Sequence, residues 1–204
     1  MKNIIQKIIY SNYFLSVIYH AYRTDYGSTS NPLKIYKKYR LQNSGCALDI
    51  GSGPTPRNPF NASAQYGLDL IENKNIGVEK CDLGMEKIPF DDNSFDRVTA
   101  FDLIEHIPRF CIKDGENHTP FIYLMNEIWR VLKKDGIFLS HTPAFPFGAS
   151  FQDPTHNNII TEKTFPNYFS KDKYDIAKHY GIQTNFEILD QKFYGQHLIT
   201  VLKK

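Results

Sequence analysis

Three aspartates, Asp69, Asp82 and Asp102, each stand beside or at the end of a short apolar run, and ahead of them lies Leu48-Asp49-Ile50-Gly51-Ser52-Gly53-Pro54. The run from Cys46 to Ile50 ends in Gly-x-Gly, the way a buried parallel strand hands over to a ligand-binding turn. Glycines there admit positive φ and let the backbone approach a ligand closely. A carboxylate at the end of the second strand is placed to accept two ribose hydroxyls, and the 18-residue spacing from Gly51 to Asp69 suits that role. Asp82, after the third strand, can accept the amino group of an adenine. Together these groups describe a pocket for an adenosine-bearing ligand, provided the fold brings them to one edge.

From Cys46 onward the pattern alternates between strand-like and helical segments. Candidate strands are 46–50, 65–70, 76–81, 96–102, 136–142, 184–190 and 195–202. The clearest helix is 120–133, where Phe121, Met125, Ile128 and Leu132 share a stripe that Leu124 and Val131 widen. Pro120 suits its first turn, and Lys133, Lys134 and Gly136 mark its end. Further helices are expected near 33–40, 161–169 and 171–180. Alternating strands and helices imply a parallel sheet covered on both faces, whose ligands bind at the carboxyl ends of the strands near the switch in strand order. The last two runs lie too close together for a helical crossover and must pair antiparallel. Prolines at 54, 56 and 59 leave little room for a helix after the first strand, so a loop or single turn is expected there.

Two adenosine-bearing ligands compete for this edge. A dinucleotide wants Gly-x-Gly-x-x-Gly and a helix N-terminus for its pyrophosphate; here Pro56 holds the third glycine's position. S-adenosylmethionine carries no phosphate and needs no such dipole, and its sulfonium is favoured by carboxylates and backbone carbonyls.

Leu48-Asp49-Ile50-Gly51-Ser52-Gly53 resembles motif I of class I S-adenosylmethionine-dependent methyltransferases, and Cys81-Asp82-Leu83 resembles their adenine-binding acidic turn. Ile88 to Asp96, then Leu103-Ile104-Glu105-His106-Ile107-Pro108 and Glu127 to Gly136, are similar to the type 11 branch. The resemblance covers roughly residues 45–142. It departs from the family at Thr55, where motif I has a third glycine, and in the proline-rich loop that follows. It implies a three-layer, Rossmann-like α/β fold with a seven-stranded, mostly parallel sheet whose last strand is antiparallel. It also implies that Asp49, Gly51, Ser52 and Gly53 border the methionine moiety and that Asp69, with Leu70 beside it, holds the ribose. Asp82 and Leu83 would hold the adenine, and Phe101 and Asp102 would form the pocket floor. The Asp153-Pro154-Thr155-His156 stretch and Arg57 to Asn61 resemble methyltransferases of bacterial cell-surface polysaccharide clusters.

The segment from His141 to His156 is aromatic and long for a strand-to-helix loop, and long loops are often functional. Methyl transfer is an in-line displacement that needs the nucleophile held about 3 Å from the methyl carbon. A hydroxyl acceptor also loses a proton, which a histidine titrating near neutrality can take. His156, oriented by Asp153, is the first candidate base; His141 and His106 are the reserves. The spacing of His141, Asp153 and His156 is not diagnostic of a metal, and none is expected.

The bulk properties narrow the classes. The chain has 204 residues, 41% of them apolar and 23% charged, with a formal charge of +2. No basic stripe interleaves with aromatics as a nucleic-acid groove requires. Three widely spaced cysteines give neither a zinc ribbon nor a disulfide framework and fit a reducing cytoplasm. Residues 1–23 carry helical apolar spacing but are too polar to span a membrane. They suit a helix packed on the domain, a lid, or an interfacial helix. The division expected is an N-terminal helical appendage over 1–44 and a methyltransferase domain over 45–204, acting on a small-molecule or sugar acceptor. A non-catalytic partner protein that keeps the fold is the competing reading.

Overall fold

The computed structural model describes residues 32–204, so the helix expected over residues 1–23, and the lid built from it, lie outside the described residues. A short helix, α1 (Leu33–Lys38), precedes four strands: β1 (Cys46–Ile50), β2 (Ala64–Asp69), β3 (Val78–Lys80) and β4 (Phe95–Phe101). A small hairpin follows, β5 (Cys111–Lys113) with β6 (Glu116–His118). Next come α2 (Pro120–Val131), β7 (Leu132–Pro143), the short helices α3 (Ala149–Gln152), α4 (Thr164–Tyr168) and α5 (Tyr174–Ala177), and finally β8 (Glu187–Tyr194) and β9 (His197–Lys203).

Seven strands form one sheet in the order β3-β2-β1-β4-β7-β9-β8. Neighbours from β3 to β7 are parallel, and β9, the last strand in the chain, is antiparallel to both β7 and β8. The sheet is therefore seven-stranded, mostly parallel and Rossmann-like, as the sequence indicates. The strand order turns back between β1 and β4, which places the ligand crevice beside the carboxyl end of β1.

The period-2 alternation of the strands divides the core between two faces. Leu48, Ile50, Val98, Ala100, Phe138, Leu198 and Leu202 pack with the buried stripe of α2, with Phe165 and Ala177 of the later helices, and with Phe169 just past α4. On the opposite face Phe101, Ile137, Leu139, Ile199 and Val201 pack with Ile35 of α1 and Phe60 of the proline-rich loop. That loop is not helical, as its prolines dictate. It lies directly on β2: a Cβ added at Gly67 would come within 2.6 Å of Pro56 and 2.7 Å of the Ser52 hydroxyl.

A charged clamp ties α2 to the residues before β4. Arg130 donates to the carbonyls of Ile88 and Phe90 and to Asp92 and Glu127, while the Ile88 N–H donates to Glu127. The buried carboxylate of Glu127 is thus paired and hydrogen-bonded, which burial of a charge requires.

Several boundaries differ from the sequence reading for local reasons. The β5–β6 hairpin was not anticipated, although Asp114-Gly115, both at positive φ, is a two-residue turn signal. The β8–β9 turn falls at Gly195-Gln196, not near Gln191, because Gly195 supplies the positive φ. The helix expected over 171–180 breaks into two 3₁₀ turns around α5 and ends at left-handed Gly181. Cys81 is buried, as a small hydrophobe would be, and burial pushes its thiol up to about 11. Among the described residues, no helix is long and apolar enough to cross a membrane.

Candidate functional site

The first group of site residues is set by backbone. Gly51 and Gly53 both have positive φ, and a Cβ on Gly51 would lie 2.7 Å from the Leu103 side chain, so the turn after β1 packs against the turn after β4. The Gly53 N–H donates to Asp69 Oδ2 at 2.9 Å, which fixes the carboxylate at the tip of β2 against the glycine loop. Ser52 is buried, its N–H donating to the Leu68 carbonyl and its hydroxyl to the Gly53 carbonyl. Space beside Gly53 is open. Leu70 and Ile71, just past Asp69, are 61% and 79% exposed, so uncovered apolar surface flanks the carboxylate. Asp82 is exposed on the next strand end, with Leu83 buried beneath it.

Asp49 plays a different part. It is fully buried, and both of its oxygens are engaged: Thr99 Oγ1 donates to Oδ1 at 2.7 Å and the Arg57 N–H to Oδ2 at 2.8 Å. Burial pushes its carboxyl up to about 6, with those two hydrogen bonds opposing. Asp49 thereby pins the proline-rich loop under the glycine turn. The same loop lays the Arg57 guanidinium over the Phe101 ring, 4.9 Å from its centroid.

Phe101 and Asp102 lie at the end of β4. Asp102 is left-handed (φ 50°), a conformation Asp tolerates better than most residues, and its carboxylate faces two histidines. His197 Nε2 is 3.1 Å from Asp102 Oδ1 and His141 Nδ1 is 3.6 Å away, the two imidazoles being stacked at 4.6 Å. Burial raises the Asp102 carboxyl, but the two imidazoles outweigh it and hold it far below the usual carboxylate range. Tyr36 of α1 packs edge-on to Phe101, and burial, with the Asp102 charge, pushes its phenol up to about 12.

The proposed catalytic residues belong to a third group. His156 is nearly buried and meets His106 edge-to-face, their centroids 4.8 Å apart. Its Nδ1 is 3.3 Å from the Ser150 carbonyl. Asp153 lies 3.9 Å from His156 Nε2, beyond hydrogen-bond reach. Asp153 Oδ1 instead accepts from the Thr155 hydroxyl at 2.6 Å and the Thr155 N–H at 2.8 Å, and Thr155 Oγ1 in turn touches His106 Nδ1 at 3.0 Å. Asp153 therefore reaches the histidines through Thr155. These Thr155 bonds hold its carboxyl below the usual range.

Beneath the two histidines is Glu105, 1% exposed. Thr142 Oγ1 donates to its Oε2 at 2.7 Å, while Oε1 is buried with no hydrogen-bond partner. Burial raises its carboxyl. The 153–158 loop is fastened over this residue by the Asn157 and Asn158 N–H groups, which donate to the Glu105 carbonyl, and by Arg109, which donates to Asn158 Oδ1. Glu105, Thr142, Thr155 and His197 were not singled out from sequence; apart from the Thr155–Asp153 pair, their partners lie far along the chain, and only the fold brings them together.

Comparison with known proteins bears on the fold that carries this site. Residues 48–140 match the family model described as a methyltransferase domain. That span runs from β1 through the first strands of the crevice to β7. No curated protein matches the chain. Among solved structures, a SAM-dependent methyltransferase from Archaeoglobus fulgidus superposes with a TM-score of 0.55 at 16% identity, covering 95% of this chain and 100% of that one. A SAM-dependent methyltransferase from Thermotoga maritima gives 0.54 at 14% identity, over 84% of this chain and 87% of that one. A chain from a Haloferax volcanii methyltransferase–activator complex gives 0.55 at 12% identity, over 83% and 87% respectively. At these identities the likeness is one of fold.

Proposed function

We propose that the protein is an S-adenosylmethionine-dependent methyltransferase of the type 11 branch, acting in the cytoplasm on a hydroxyl of a small molecule or glycan. The observation that carries this reading is Asp69, fixed by the Gly53 N–H at the mouth of the crevice beside open space and exposed Leu70. A carboxylate so placed accepts ribose hydroxyls, and the apolar surface next to it suits the face of an adenine, whose amino group Asp82 would accept. The residues fit this ligand better than a dinucleotide, because no helix follows β1 to offer its N-terminus to a pyrophosphate.

When bound, S-adenosylmethionine supplies an electrophilic methyl group on a sulfonium. The chain's own work is to orient and to manage a proton. The Gly51–Gly53 turn and Asp49 shape the methionine end, and Phe101 and Asp102 form the floor. At the acceptor end His156 and Asp153 are the proposed catalytic residues, His156 through Nε2 and Asp153 by positioning Thr155 and His106. A glycan of a bacterial cell surface is the acceptor class that the 153–156 and 57–61 stretches favour.

The test is transfer of isotopically labelled methyl from S-adenosylmethionine to a panel of sugars and sugar nucleotides, with amine acceptors in parallel. Label on a hydroxyl, abolished in Asp69→Ala, is the expected result. Label found only on amines would contradict the hydroxyl assignment, and no transfer or cofactor binding would contradict the whole reading.

A further inference from the structure

One ring nitrogen from each of His106 and His156 and a carboxylate oxygen of Glu105 lie within 4.8 Å of one another. The hydrogen bonds around them decide which atoms are free. The Ser150 carbonyl can only accept, so His156 Nδ1 carries the proton of that contact and Nε2 keeps a lone pair. The Thr155 hydroxyl has one hydrogen and spends it on Asp153, a carboxylate that only accepts. Toward His106 the Thr155 oxygen must therefore accept, so His106 Nδ1 is also protonated and its Nε2 is bare. Glu105 Oε1 adds a third acceptor, buried and without a partner.

The cluster thus carries three lone-pair acceptors, and the hydrogen bonds around it leave none of them a donor. A single proton satisfies one or two of them, and a water molecule, with two hydrogens, leaves one unmet. A cation satisfies all three. The pattern at each histidine, one nitrogen bare and the other donating to a carbonyl or hydroxyl oxygen, is how the outer partners of a metal ligand fix its tautomer. Two imidazoles and one carboxylate favour a divalent first-row transition ion over Mg²⁺ or Ca²⁺, which prefer oxygen.

We propose that Glu105, His106 and His156 bind a divalent transition-metal ion, with Thr142, Thr155, Asp153 and the Ser150 carbonyl as its outer supports. The site goes beyond the expectation of no metal drawn from sequence spacing, because Glu105 and His106 precede His156 by 51 and 50 residues and only the fold joins them. Leu103, two residues before Glu105, packs on Gly51, so the ion lies beside the proposed cofactor crevice. There it has positions left for an oxygen of the acceptor. That use rests on the methyl-transfer reading and makes His156 Nε2 a ligand instead of a base; metal binding itself does not depend on it.

The experiment is a titration of tag-free, chelator-stripped protein with Co²⁺, read by its visible absorption, and with Zn²⁺ by calorimetry. One ion per chain is expected, with binding lost in Glu105→Gln and in His156→Ala, each of which removes a proposed ligand, and unchanged in His197→Ala, which alters the other histidine pair. Thermal melting of each metal-free variant verifies that it folds. No ion bound by the folded wild-type protein, or binding that depends on His197 and not on His156, would overturn the assignment. S-adenosylhomocysteine titrated into the same samples separates the two readings: ion binding without cofactor binding defeats only the methyltransferase reading, and the reverse defeats only the metal site.

Discussion

The two sides of the crevice, the proposed cofactor side and the proposed acceptor side, are built by different means. On the cofactor side, the glycine turn and the tips of β2 and β3 hold Asp69 and Asp82 through main-chain geometry, and the carboxylates remain near solvent. On the acceptor side, Glu105, His106, Thr142, Thr155 and His156 hold one another through side chains, and the acid at their centre is buried. Main-chain placement is local and survives the loss of a single side chain. A side-chain network is cooperative, so removing one member leaves others unsatisfied. Substitution of the exposed acids on the cofactor side should therefore show in ligand affinity, and substitution of buried Asp49 or of the acceptor-side network in stability and tautomer.

The largest effect is expected beneath the cofactor side, at Asp49. Its carboxyl titrates near 6 in the folded chain, well above its ordinary value, so between about pH 4 and 6 the folded state holds a proton that the unfolded chain has lost. Stability from this group is thus greatest at low pH and falls as pH rises, by about 3 kcal/mol in all. Denaturant unfolding of Asp49→Asn and wild type should diverge by that amount between pH 4 and 7, in favour of the variant; a difference independent of pH contradicts the buried charge. Next is Asp69→Ala, expected to weaken S-adenosylhomocysteine binding about a hundredfold while leaving the melting temperature nearly unchanged, since charge-assisted hydrogen bonds contribute about 1.5–3 kcal/mol. Equal affinity would remove the ribose role.

On the acceptor side the order reverses. Thr142→Val deprives Glu105 Oε2 of its donor and should cost about 2 kcal/mol in stability, read by denaturant midpoint, with cofactor affinity unchanged. A loss of affinity instead would merge the two sides. The smallest effect is that of Asp153→Ala. The freed Thr155 hydroxyl can then donate to His106 Nδ1, and stability should change by no more than about 0.5 kcal/mol. The ¹⁵N shifts of His106 should report the proton moving from Nδ1 to Nε2. Persistence of the Nδ1 proton would refute the relay through Thr155.

This contrast also explains what the sequence made legible. The strand-turn pattern Leu48 to Gly53, the acids at strand ends and the stripe of α2 are local signals, and the structure places them as read. The prolines at 54, 56 and 59 excluded a helix after β1 on covalent grounds alone, and none forms. His156 and Asp153 were noticed because they are neighbours in sequence. The ring that His156 packs on, His106, and the Glu105–Thr142 pair beside it come from distant parts of the chain, and no spacing announces them. The His141–Asp102–His197 stack escaped for the same reason: β9 returns antiparallel beside β7, pairing Pro143 with His197, which no local pattern encodes. The one missed element with a local signal was the β5–β6 hairpin, whose Asp114-Gly115 turn was available to be read.

The central claim is that the edge formed by the Gly51–Gly53 turn, Asp69 and Asp82 receives S-adenosylmethionine. Calorimetric titration of purified protein with S-adenosylhomocysteine, with NADH as the parallel ligand, tests it most directly. Micromolar binding of the former alone, about −8 kcal/mol, is the predicted result. Binding of NADH alone, or of neither ligand, would contradict it.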